Sequence, residues 1–124
     1  MDVLLVEPDA ALRAPLAEAL RAARLRTAAV GSGEDALAVA HEQRPPRVLV
    51  TAIGLGPGMD GFELVRRLRG RWPGLPVVLT GEGPAALRGR VLGRLDRFLV
   101  RPVAPEALLG AVRALADGGA RPLA

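Results

Sequence analysis

The chain has 124 residues, enough for one domain with a single buried core, and half of them are hydrophobic, which excludes extended disorder. It contains no cysteine, so disulfides and cysteine-based zinc sites are excluded; its apolar runs are too short to span a bilayer, and Met1-Asp2-Val3 lacks a signal-peptide layout. The net charge is +4 with every basic residue an arginine, and with only Phe62, Trp72 and Phe98 as aromatics a base-stacking surface has little to build on. A cytoplasmic protein that binds neither membrane nor nucleic acid is expected.

Val3-Leu4-Leu5-Val6 reads as a buried strand ending at Glu7-Pro8-Asp9. Asp9 is placed to cap a helix running to Arg24, with Leu12, Leu16, Leu20 and Ala23 at helical spacing and Pro15 bending its first turns. Arg26 to Val30 is a second strand, and Ser32 caps a helix reaching about Gln43, where Pro45-Pro46 breaks it. Arg47 to Ala52 is the third strand. A glycine-rich loop follows, and Asp60 caps a helix carrying Phe62, Leu64, Val65 and Leu68. Pro73-Gly74 ends that helix, and Pro76 to Thr80 is the fourth strand. Pro84 to Arg94 is expected to be a weak helix, interrupted by Gly89 and Gly93, ahead of a fifth strand at Arg97 to Val100. Pro105 opens a last helix through about Ala116.

Five apolar strands alternating with five helices predict an α/β fold: a doubly wound, five-stranded parallel sheet with helices on both faces. The domain is expected over 1–117, with a tail over 118–124 that leaves no room for an appended DNA-binding domain. In such sheets the functional crevice lies beyond the carboxyl ends of the strands. That rule brings together Glu7-Pro8-Asp9, Ala52-Ile53, Thr80-Gly81 and Arg101-Pro102.

At these strand ends the chain resembles the receiver domains of bacterial two-component response regulators. The likeness covers essentially the whole chain and rests on LLVEPD (4–9), TAIGLGPGMDGFEL (51–64), PVVLTG (76–81) and FLVRPV (98–103). It implies a flavodoxin-like fold and a signalling module that takes a phosphoryl group from a histidine kinase. It also implies a phosphoacceptor aspartate ending the third strand, a magnesium held by acidic residues after the first, a hydroxyl residue ending the fourth, and a lysine before a proline after the fifth.

The corresponding positions here are Ala52, Glu7-Pro8, Thr80 and Arg101-Pro102, with Asp9 one place beyond the acidic pair and Phe98 at the aromatic position of the fifth strand. The Gly54 to Gly58 loop is also one residue longer than the usual form. Alanine offers no nucleophile, and Glu7 is the one carboxylate left at the centre, whereas magnesium wants several hard oxygen ligands. No catalytic residue and no resident cofactor or metal is therefore expected, and magnesium binding should be weak or absent. Because Pro8 and Arg101 depart at the same crevice as Ala52, a naturally degenerate receiver is favoured over a single laboratory substitution. Arg101 is expected to fill the space left by Ala52 and to pair with Glu7 or Asp9, bidentately.

The expected function is that of a phosphorylation-independent receiver-like module acting through protein–protein contacts, not an enzyme. The alternative is a conventional phospho-accepting receiver inactivated by substitution or excised from a hybrid kinase or larger regulator. In the family the usual partner surface is formed by the fourth helix, fifth strand and fifth helix. Here that implies Leu87, Arg88, Arg90, Val91, Arg94, Arg97, Leu108 and Val112, facing a histidine kinase, another regulator or a second copy. His41 has no second ligand near it and is expected on the surface.

Overall fold

In a computed structural model of the chain, which describes residues 1–118, five strands form one parallel sheet: β1 (Val3–Val6), β2 (Thr27–Val30), β3 (Val48–Ala52), β4 (Val77–Gly81) and β5 (Asp96–Val100). Their order is β2-β1-β3-β4-β5, with Val3 opposite Thr27 and Val48, Ala52 opposite Thr80, and Leu79 opposite Phe98. Four α-helices cover the sheet: α1 (Ala10–Ala22), α2 (Gly33–Glu42), α3 (Gly61–Arg71) and α4 (Pro105–Gly118). Apart from Gly118, which closes α4, the tail expected over 118–124 lies outside the described residues.

The period-two geometry of a strand sorts the core into two layers. Leu4, Val6, Leu49, Val77 and Leu79 pack with Ala36, Ala40, Leu64 and Leu68 of α2 and α3. Val3, Leu5, Val48, Val50 and Val78 pack with Leu16, Leu20, Leu108, Val112 and Leu115 of α1 and α4. β1, β3 and β4 are buried along their whole length, which is why they read as unbroken apolar runs.

Three of the helices begin on the side-chain caps that the sequence predicts. Asp9 accepts from the Ala11 N–H at 2.9 Å, Ser32 from Asp35 at 3.1 Å and Asp60 from Glu63 at 2.8 Å. α1 tolerates Pro15 and stops at Ala22, two residues short of the expected end, because Arg24 enters the left-handed region at φ 66°.

The fifth helix, expected over Pro84 to Arg94, does not form. The segment makes one short 3-10 turn, Pro84–Leu87, and then runs irregularly to β5. Arg88 and Gly89 both take positive φ, 51° and 76°, which turns the chain off any helical path. Glycines at 89 and 93 each weaken a helix by about 1 kcal/mol relative to alanine, leaving too little to restore it.

Gly61 fixes the approach of α3 to the end of β3. Its N–H donates to the Ile53 carbonyl at 2.7 Å, and a Cβ there would stand 2.3 Å from the Ala52 carbonyl oxygen and 2.9 Å from Ile53 Cα. Both obstacles are backbone, which cannot swing aside. Gly61→Ala is expected to destabilise the domain by about 2 kcal/mol through overpacking. Urea unfolding would register this as a lower midpoint at unchanged slope.

Candidate functional site: the carboxyl ends of the strands

The ends of β1, β3 and β4 and the residue following β5 converge as the parallel topology requires. Glu7 follows β1 and is buried, at 4% exposure, although it carries a carboxylate. Its backbone is clamped from both sides: its N–H donates to the Val30 carbonyl at 3.0 Å, and its own carbonyl accepts from Arg13 Nη1 at 2.7 Å. The side chain is equally committed. Oε2 accepts the Asp9 N–H at 3.0 Å, and Oε1 lies 2.9 Å from Arg101 Nη2 in an ion pair.

Arg101 is carried to Glu7 by the end of the sheet, since its N–H donates to the Gly81 carbonyl at 2.8 Å. Its other terminal nitrogen, Nη1, is 4.0 Å from Glu82 Oε1, an exposed carboxylate. The predicted pairing with Glu7 therefore exists, while the predicted bidentate form does not. One carboxylate oxygen is taken by a backbone amide, so a single nitrogen–oxygen contact remains. Asp9 does not compete for Arg101, because its Oδ1 caps α1.

Ala52 ends β3 at 1% exposure and packs in the core with Ile53, Leu55 and Met59. Its methyl group is a core contact and brings no polar side-chain atom to the strand end. Thr80 is buried at 4% directly across the ladder from it. Phe98 is half-buried in the α2/α3 layer, its ring edge close against Gly81. Pro8 is exposed and has no side-chain oxygen to offer. The loop after β3 turns at Gly56 and Gly58, with φ 82° and 96°, and tucks Leu55 and Met59 inward.

Between these residues and α1 lies a small cavity of about 150 Å³, bordered by Glu7, Thr80 and Arg101 on the polar side and by Leu12, Leu16 and Val103 on the apolar side. Arg13, which holds the Glu7 carbonyl, is missing from the sequence-based set. Its signal was its place one turn into a capped helix, facing back toward the strand end.

The partner surface needs correction. Leu87 is half-buried, and Arg88, Arg90, Val91, Arg94 and Arg97 are exposed as expected. Leu108 and Val112, by contrast, are core residues at 0% and 1% exposure, packed beneath the sheet with Leu115. Their i, i+4, i+7 spacing is the buried stripe of α4. His41 is exposed, as predicted. Among the described residues no three His, Asp or Glu side chains gather as a metal-holding group, and no helix is long and apolar enough to cross a membrane.

Comparison with known proteins agrees with this architecture. The family model described as the response regulator receiver domain matches residues 3–113. The transcriptional regulatory protein AfsQ1 of Streptomyces coelicolor is 35% identical over 122 residues, covering 96% of this chain and 52% of that protein. The C4-dicarboxylate transport transcriptional regulatory protein DctD of Pseudomonas aeruginosa is 39% identical over 114 residues, 90% of this chain and 24% of that one. The chain thus spans about half or less of the length of these relatives. Among solved structures, a response regulator receiver protein from Sinorhizobium medicae superimposes with a TM-score of 0.85 at 23% identity, covering 96% of both chains. The chemotaxis response regulator CheY4 of Vibrio cholerae gives 0.79 at 25% identity, with 92% of this chain and 97% of that one covered. A sheet order of 2-1-3-4-5, strand ends that meet at one crevice and a family match over almost the whole described length agree: the chain belongs to the receiver domains of response regulators.

Proposed function

We propose that this receiver domain is a pseudo-receiver, a signalling module that works through protein contacts without aspartyl phosphorylation. One observation carries the reading: the ion pair of Arg101 with buried Glu7, beside a strand end occupied by Ala52. A cation at position 101 that is free to meet an incoming phosphoryl group would need an uncommitted guanidinium. Here the guanidinium already neutralises the one carboxylate of the crevice. An acceptor oxygen is also lacking at position 52, and positioning alone cannot supply one.

The residues present do not fit the magnesium ion that the family implies. Such a site needs near-octahedral oxygen ligation with one or two carboxylates free to enter it. Both Glu7 oxygens are engaged, Asp9 caps its helix, and Pro8 and Ala52 have no oxygen in their side chains. No step is assigned to the metal, nor is any catalysis assigned to the crevice. The partner is a protein, whether histidine kinase, second regulator or second copy, met in the cytoplasm.

A second reading is a conventional receiver belonging to a larger regulator and inactivated by substitution. Its support is the greater length of the relatives, two of which are transcriptional regulators. Intact mass after incubation with magnesium and acetyl phosphate tests the first reading. An unmodified mass is expected; a phosphorylated adduct would refute it, and peptide mapping would assign the adduct to Asp9, Asp60 or Glu7.

A further inference from the structure

The missing fifth helix leaves a gap in the layer that covers β4 and β5. Between α3 and the irregular segment 88–95 lies an open groove of about 920 Å³. Val77 and Leu79 lie buried beneath it, one wall is half-buried Phe62 and Val65 of α3, and the other wall carries exposed Val91 and Leu92. Val91 is 94% exposed, an unusual place for a valine. The groove has the chemistry of a helix-binding surface: apolar side chains on both walls, an open mouth and charge at the rim.

The rim carries both signs, and among its arginines Arg90 is left without a carboxylate. Each carboxylate beside the groove is already engaged: Asp60 caps α3, Glu63 pairs with Arg66 and Arg67, and Asp96 pairs with Arg69 at 2.7 Å while accepting the Gly93 N–H. On the outer wall Arg90 takes no carboxylate partner among the described residues, and neither do Arg88 and Arg94, exposed on the same segment but outside the groove's lining. Arg90 instead rests over the Phe62 ring, 3.7 Å from its centroid, so that it bridges the two walls. Such a contact is worth about 1 kcal/mol at an exposed site, little enough for a carboxylate to displace.

We propose that this groove docks an acidic, amphipathic helix from a partner protein, which takes the layer position that the chain's own fifth helix leaves open. The size agrees: a helix about 10 Å across fills the groove over about 12 Å, roughly two turns. Leucine-type side chains of the partner cover Phe62, Val65 and Val91, and its glutamates or aspartates meet Arg90 and, beyond the groove's edge, Arg88 and Arg94. The proposal rests on the reading that the domain acts through protein contacts. It can fail separately, since binding and phosphoryl transfer are measured on different signals.

The test uses two synthetic peptides with the same leucine spacing (i, i+3, i+4, i+7), one with glutamate and one with lysine at the remaining positions, titrated into the full chain. Methyl chemical shifts report the site. The glutamate peptide is expected to shift Val65, Val91 and Leu92, to lose affinity as salt rises, and to bind at least about tenfold tighter than the lysine peptide. Arg90→Glu, at an exposed position that should not disturb folding, is expected to weaken the glutamate peptide by about tenfold or more. Equal binding of both peptides, no saturable binding, or shifts confined to other surfaces would overturn the proposal. So would a groove found protected in a dimer by sedimentation and hydrogen exchange, which would make a second copy the occupant.

Discussion

Arg101→Ala is expected to destabilise the domain by about 3 kcal/mol, because it strands a buried carboxylate without its counter-ion. Glu7 has 5% of its side chain exposed and Arg101 20%, so water can replace little of what the guanidinium supplies. The Asp9 amide still bonds the carboxylate in the variant, and the crevice lies near the surface, which holds the expected cost at the low end of the range for broken buried pairs. For a domain of this size that corresponds to a fall of about 10 °C in melting temperature. Truncating an arginine elsewhere on the surface, such as Arg44, should cost less than about 0.5 kcal/mol.

The stranded charge, rather than lost packing, must be the cause for this argument to hold. Glu7→Gln in the Arg101→Ala background is therefore the deciding variant, since it removes the charge and keeps the shape. It is expected to recover most of the lost stability, giving a coupling between the two positions of about 2 kcal/mol in the double-mutant cycle. A double variant no more stable than Arg101→Ala would mean that the arginine acts through its alkyl stem against α1 and α4. A fully stable Arg101→Ala would remove the pair from any account of the domain.

How far the sequence could be read depended on whether each feature was local or conditional on packing. The caps at Asp9, Ser32 and Asp60 are local: a short polar side chain ahead of an apolar period finds its own helix amides within three residues. The sheet was equally accessible, since β1, β3 and β4 are apolar on both faces. Pairing of Glu7 with Arg101 joins residues 94 positions apart, yet parallel topology delivers every strand end to one edge, and only a few charged groups end there. Its single-contact geometry was not accessible, because it depends on where the Asp9 amide points.

The two misreadings have different causes. A weak helix over Pro84 to Arg94 gives Gly89 the role of an interruption, whereas Arg88 and Gly89 make a left-handed turn that ends it. Leu108 and Val112 were put on the partner face by family analogy, although their own period, with Leu115, marks the buried stripe. Only in the second place did an expectation about the family outweigh the physical signal of the residues themselves.

Restoring aspartate at position 52 alone is expected to leave the domain unphosphorylated by acetyl phosphate. Ala52 stands in a crevice where the one neighbouring acid, Glu7, has both oxygens occupied and where Arg101 is anchored to it. A new carboxylate there would meet the same guanidinium and be drawn into the pair, which offers it a cation without the water and oxygen ligands that magnesium needs. Phosphoryl transfer would still lack the metal that neutralises its developing charge. The combination Ala52→Asp, Pro8→Asp and Arg101→Lys is different, because it supplies two free carboxylates and a cation on a more flexible stem. That variant is expected to gain one phosphoryl group in intact mass, dependent on magnesium, and the double variant that keeps Pro8 should gain less. If Ala52→Asp alone were modified, the Glu7–Arg101 pair would be no barrier, and the loss of phosphorylation would be one residue deep. If only the combination is modified, the barrier to phosphorylation is distributed over three strand ends, with the Glu7–Arg101 pair as part of it.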